Sequence, residues 1–176
     1  MNMSYSGVST PSTPLTPPMS APMSAAPLIQ TASPDAAVDH FRLRRFVDAQ
    51  APVIDQAMEE LSLGQKRSHW MWFVFPQIQG LGHSAISREF AIDSLDEARA
   101  YLLHPVLGTR LREATRRVLA IENRSALQIF GSPDDMKFRS SMSLFALATE
   151  DKQCFIDALS QYFHGSFDPR TLALLR

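Results

Sequence analysis

Between Arg67 and Ser84 the chain concentrates residue types that can hold a ligand. His69, Trp70, Trp72 and Gln77 are followed by Gly80, Gly82 and Ser84, so aromatic rings and polar side chains adjoin a glycine-containing loop. Aromatic faces supply a stacking surface, and glycines let backbone amides approach an anionic group. Arg67 or Lys66 would bring positive charge to the same pocket. The segment also reads as packing, since tryptophans anchor cores and glycines turn chains. Two glycines one residue apart are too little to define a phosphate loop.

Arg139-Ser140-Ser141 is the second candidate, because polar residues inside an otherwise apolar helix must be satisfied or exposed. An arginine there can hold a carboxylate or phosphate through two parallel hydrogen bonds. It can equally form an ion pair with Asp134 or Asp135 one turn earlier. The five histidines, at 40, 69, 83, 104 and 164, show no HxxxH or HExxH spacing, so His69 and His83 gain no support as zinc ligands. Cys154 has no base near it in sequence, and Ser84 lies in no GxSxG elbow. No catalytic triad, cofactor or metal is expected.

Helical signals position these residues. Asp39 to Gln50 and Val53 to Leu63 carry apolar residues at helical spacing, and Gly64 closes the second run. Ser68 to Pro76 is apolar on all sides; its length suits a strand, but with no partner strand it reads as a helix. Gln77 to Ser84 is a loop, followed by a short helix through Phe90. Ser94-Leu95-Asp96-Glu97 matches a capping box. A long helix after His104-Pro105 reaches Ile121, and a short one spans Ser125 to Phe130. Ser132-Pro133-Asp134-Asp135 has an N-cap serine, a proline at the first helical position and acids in the first turn. The helix it opens is apolar over more than one face and must be central. Helices over Asp151 to Phe163 and Asp168 to Leu175 complete the chain. The expectation is an all-α fold, a single compact globule of about eight helices; an α/β sheet would need strands that the sequence does not offer.

Residues 1–34 contain no charged residue, seven of the twelve prolines and eleven serines or threonines. Such a composition cannot offset the entropy of ordering, so residues 1–37 read as a disordered tail and 38–176 as the domain. The tail lacks the basic start and unbroken apolar run of a secretory signal, and the arginines of a transit peptide. No run of about 18 apolar residues suggests a membrane span, and the single cysteine excludes an internal disulfide. A cytoplasmic location is expected. Beyond Asp35 the chain holds seventeen basic and seventeen acidic residues, without the basic excess of a nucleic-acid binder. Arg110, Arg112, Arg116 and Arg117 interleave with Leu107, Leu111, Ala114 and Val118, which makes them the wet face of a helix.

The run from Lys66 through Gln77, continuing Ile78-x-Gly80-Leu81-Gly82, resembles a bacterial family of all-helical domains that carries the domain-of-unknown-function label 1810. The likeness extends through Ala91-Ile92, Ser94 to Leu111, Phe130 to Lys137 and Arg139 to Met142, and covers about residues 39–176. It implies a single all-α domain and no established activity, cofactor or substrate. Phe90 stands where tyrosine is expected and Phe138 where leucine is more usual, so no hydroxyl role is expected at 90. A calpastatin-like name attached to some relatives finds no support in this folded-core composition.

Two functions follow as expectations. One is the binding or processing of a small anionic, nucleotide-like metabolite, which requires His69, Gln77, Ser84 and Arg139 to converge on one concave pocket. The other is a protein-interaction module, which requires an exposed apolar patch over Ile78 to Ser84.

Overall fold

A helix whose side chains are apolar or small nearly all round is stable only when other elements surround it. Asp134–Ala148 is that helix: Phe138, Ser140 to Ala146 and Ala148 are all buried. The computed structural model describes residues 39–176, which form one compact unit. Four helices precede the central region: α1 (Arg44–Gln50), α2 (Ile54–Ser62), α3 (Met71–Val74) and α4 (Ala85–Glu89). Then come α5 (Leu95–Leu103), α6 (Leu107–Leu119), α7 (Ala126–Phe130) and α8 (Asp134–Ala148). α9 (Gln153–Phe163) and α10 (Pro169–Leu174) end the chain. α8 packs against α5, α7, α9 and α10, while α6 packs against α2, α3, α5 and α9.

The all-α expectation holds, with ten helices among the described residues rather than about eight. α3 and α4, both anticipated as helices, are single turns, too short to persist alone and held by tertiary packing. The expected tail over residues 1–37 lies outside the described residues. No strand forms among those described; one parallel bridge joins Ile78 to Ile92.

Three local expectations are corrected. The helix anticipated over Ser68 to Pro76 shrinks to Met71–Val74, because Ser68 and Trp70 are drawn onto a carboxylate described below. Ser94 caps α5 through its hydroxyl, but Glu97 does not complete the box. One of its oxygens accepts the Asp93 amide and the other the Arg45 guanidinium, both at 2.7 Å. The full capping box occurs instead at Ser125 and Gln128. Ser132 does not cap α8, whose N-cap position is occupied by Pro133.

Arg45 fastens α1 to the segment entering α5. Its guanidinium donates to the carbonyls of Phe41, Arg42, Glu89 and Ala91 as well as to Glu97. His104 Nδ1 accepts the amides of Val106 and Leu107, which terminates α5 and starts α6.

Candidate functional site

The conspicuous Lys66–Trp70 stretch wraps one carboxylate. Glu60, on α2 and 5% exposed, accepts the amides of Arg67 and Ser68, the Ser68 hydroxyl at 2.6 Å and the Trp70 indole N–H at 2.8 Å. Burial alone would raise its pKa. The donors outweigh that cost and hold it near 2, against an ordinary 4.5. Trp70 is therefore a core residue, 1% exposed. Arg67 and His69 are exposed, and the Arg67 guanidinium reaches only Gln65 among the described residues.

Past α3 the chain reaches the surface, and here a groove of about 530 Å3 opens. One wall carries Trp72, Gln77 and the Leu81 to Ser84 loop; the other carries Pro133, Met136, Lys137 and Ser140 of the α8 entrance. Asp168 and Arg170 close the end. Gly82 is required for this shape, because a Cβ there would lie 2.5 Å from Ser87 Cβ and push the loop off α4.

Lys137 is held at the wall from two sides. Its ammonium lies 4.6 Å from the centre of the Trp72 ring and 2.7 Å from Asp134, whose other oxygen binds Lys66 at 2.7 Å. Burial would raise the Asp134 carboxyl, but the two lysines keep it below the ordinary range. Asp134 uses up neither cation: two N–H donors remain on Lys137, and one acid faces two lysines.

Asp168 is committed to structure. Its carboxylate accepts the Ser140 hydroxyl at 2.8 Å, the Thr171 hydroxyl at 2.7 Å, and the Arg170 and Thr171 amides. Burial pushes its pKa up, but these donors bring it below the usual range. It thereby caps α10 and pins that helix to α8.

Arg139 meets neither of its expected partners. Its guanidinium donates to the carbonyls of Ser166 and Phe167, both at 3.0 Å, and lies 5.7 Å from the Phe163 ring centre. It fixes the turn that delivers Asp168 and Arg170. Ser141 is wholly buried and its hydroxyl has no hydrogen-bond partner among the described residues. Ser141→Ala should accordingly be neutral or stabilise by up to about 1 kcal/mol, since no bond is lost and a desolvated hydroxyl is removed. Chemical denaturation checks this; a loss of 1 kcal/mol or more would show that the hydroxyl is satisfied.

Of the sequence candidates, Trp72, Gln77, Gly82, Ser84 and Ser140 share the groove. Gly80 lies beside it, with positive φ and Leu174 packed against it. Arg67, His69, Trp70, Arg139 and Ser141 lie outside its walls. The full convergence of His69, Gln77, Ser84 and Arg139 therefore does not occur: only Gln77 and Ser84 meet. Sequence reasoning passed over Lys137, Met136, Asp168 and Arg170 as site residues. Asp168 was legible as a helix cap, while Arg170 gave no signal, because its place depends on the turn held by Arg139.

The groove's lining carries Lys137 and Arg170 against the single acid Asp168, a net positive charge. The side chains of Trp72, Gln77 and His83 have no hydrogen-bond partner among the described residues, and Arg170 has only a 3.4 Å contact with the Leu81 carbonyl. A broader depression of about 580 Å3 around Leu119 to Ser125 differs in this respect. There Gln161 binds the Leu119 and Ile121 carbonyls, Arg124 binds that of Gly64, and Ser125 caps α7. The interaction reading gains little from the loop, since Ile78 is 4% exposed and Leu81 half-buried.

No match is found among curated proteins. In structure the chain is similar to the conserved hypothetical protein Rv1873 from Mycobacterium tuberculosis, at 54% identity and a TM-score of 0.77, over 78% of this chain and 98% of that one. The family described as "Protein of unknown function (DUF1810)" matches residues 40–175, nearly every described residue and the whole groove. The chain belongs to the DUF1810 family.

Proposed function

We propose that this domain binds a small anionic metabolite in the groove between Trp72 and Arg170. The observation that carries the reading is the contrast in polar satisfaction. Glu60, Asp134, Asp168 and Arg139 all have partners inside the protein. The groove faces of Trp72, Gln77, His83 and Arg170 are left for solvent or a ligand. A concave site with an apolar floor and a few converging, unengaged polar groups is the usual form of a small-molecule site. The net positive lining selects an anion.

The groove favours binding over covalent chemistry. Ser140 and Asp168 are its one hydroxyl–carboxylate pair among the described residues. The single Ser140 proton is shared between Asp168 and the Met136 carbonyl, and four donors make Asp168 a poor base.

A thermal-shift screen of the full chain against nucleotides, sugar phosphates and organic acids tests the proposal. A ligand at 100 times its Kd adds about 2.7 kcal/mol, which raises Tm by about 10 °C in a domain of this size. The shift should disappear in Lys137→Ala/Arg170→Ala. A shift that survives this double variant, or an anion panel without any shift, would count against the groove.

A further inference from the structure

The groove has two chemically different ends, and their chemistry constrains the ligand. At the end facing α8, Trp72, Pro133 and Met136 form an apolar slot, with Met136 46% exposed. Beside it lie the Lys137 ammonium, over the Trp72 ring, and the unengaged Gln77 amide. At the end facing α10, Arg170 reaches toward the Leu81 carbonyl and so stands next to Gly82, His83 and Ser84 in the chain. The α10 end carries the Arg170 guanidinium and the His83 imidazole, and its acid is engaged: Asp168 is spent on Ser140, Thr171 and backbone amides.

The geometry points to a nucleoside monophosphate, or a phosphate ester of the same build, as the ligand class. This inference rests on the anion-binding reading above and extends it. The slot accepts a flat heterocycle against Trp72 and Met136, where aromatic and thioether contacts favour a polarizable ring. Gln77 and Lys137 offer hydrogen bonds to the ring edge, an amide supplying both donor and acceptor. The phosphoryl group belongs at the Arg170 and His83 end, where a guanidinium makes two parallel bonds to phosphate oxygens. One arginine and one histidine match one phosphate, since the Ser84 and Ser87 hydroxyls are spent on each other and on the Ser84 carbonyl; a triphosphate would bring more charge than this end can neutralise. The space of about 530 Å3 suits a ligand of this size.

The test is isothermal titration of the full chain with the four nucleoside 5′-monophosphates, adenosine and ribose 5-phosphate. The tightest monophosphate should bind at least about fivefold more strongly than ribose 5-phosphate, because the ring contributes stacking. It should also bind about tenfold or more above adenosine, because the phosphate engages Arg170. Arg170→Ala, a change at an exposed side chain, should remove the second advantage and leave adenosine unaffected. If ribose 5-phosphate binds as tightly as every nucleotide, the heterocycle slot is refuted while the anion-binding reading stands. If adenosine equals the nucleotides, the phosphate end is refuted and the anionic reading with it. If no phosphate compound binds but an organic acid does, the ligand class alone is overturned.

Discussion

Glu60→Gln should lower the stability of the domain by about 3 kcal/mol and its Tm by about 10 °C. The charge on Glu60 collects four donors from the Arg67–Trp70 segment. An amide accepts at one atom only and turns its own donors toward theirs. The size follows from the pKa: a drop from 4.5 to about 2, at about 1.4 kcal/mol per unit, corresponds to about 3 kcal/mol. The sign is fixed by the direction. The folded-state pKa lies below the unfolded one, so this stabilisation is fully present above about pH 4.5 and is lost as pH falls through about 2. Calorimetry across that range should show the difference between wild type and variant shrinking with acidification. A difference independent of pH would mean that the carboxylate charge is not what the segment binds.

Arg45→Ala should cost about 3–5 kcal/mol, the loss expected when one partner of a buried ion pair is removed. The Glu97 side chain is 2% exposed, and Arg45 bonds it at 2.7 Å. The four carbonyls that Arg45 also serves lie on both sides of the contact between α1 and the entry to α5. Adding Glu97→Gln removes the stranded charge, so the double variant should lose less than the sum of the single losses. Urea unfolding of the four proteins measures the coupling. Strict additivity would show that the two side chains stabilise the fold independently.

Local rules revealed most of the helices, since amphipathic spacing, terminal glycines and capping serines act over a few residues. Ser125 and Gln128 show the limit of such rules. They form the full capping box, whereas the equally good match at Ser94 gives its Glu97 to Arg45, 52 residues away. The same long-range competition explains the short α3. Its apolar run has helical content, but Ser68 and the Trp70 indole are claimed by Glu60. In the candidate site, the Trp72 to Ser84 half was legible because it is continuous in sequence. The opposite wall was not. Lys137 becomes a groove residue only when α8 lies beside Trp72, and Arg170 only after Arg139 has fixed the turn at Ser166 and Phe167. Arg139 was expected to hold an anion or an acid one turn earlier; it holds the Ser166 and Phe167 carbonyls instead, and backbone carbonyls leave no mark in a sequence.

The central claim, a ligand groove between Trp72 and Arg170, is tested most directly by the two indole N–H signals in a 1H–15N correlation spectrum. Trp70 donates its indole proton to buried Glu60, whereas Trp72 lies half-buried in the groove. Titration with nucleoside monophosphates should move the Trp72 signal together with the amides of Gly82, His83 and Arg170, and leave the Trp70 signal in place. Shifts confined to Glu122, Asn123 and Arg124, or no shift at any groove amide, would contradict the account.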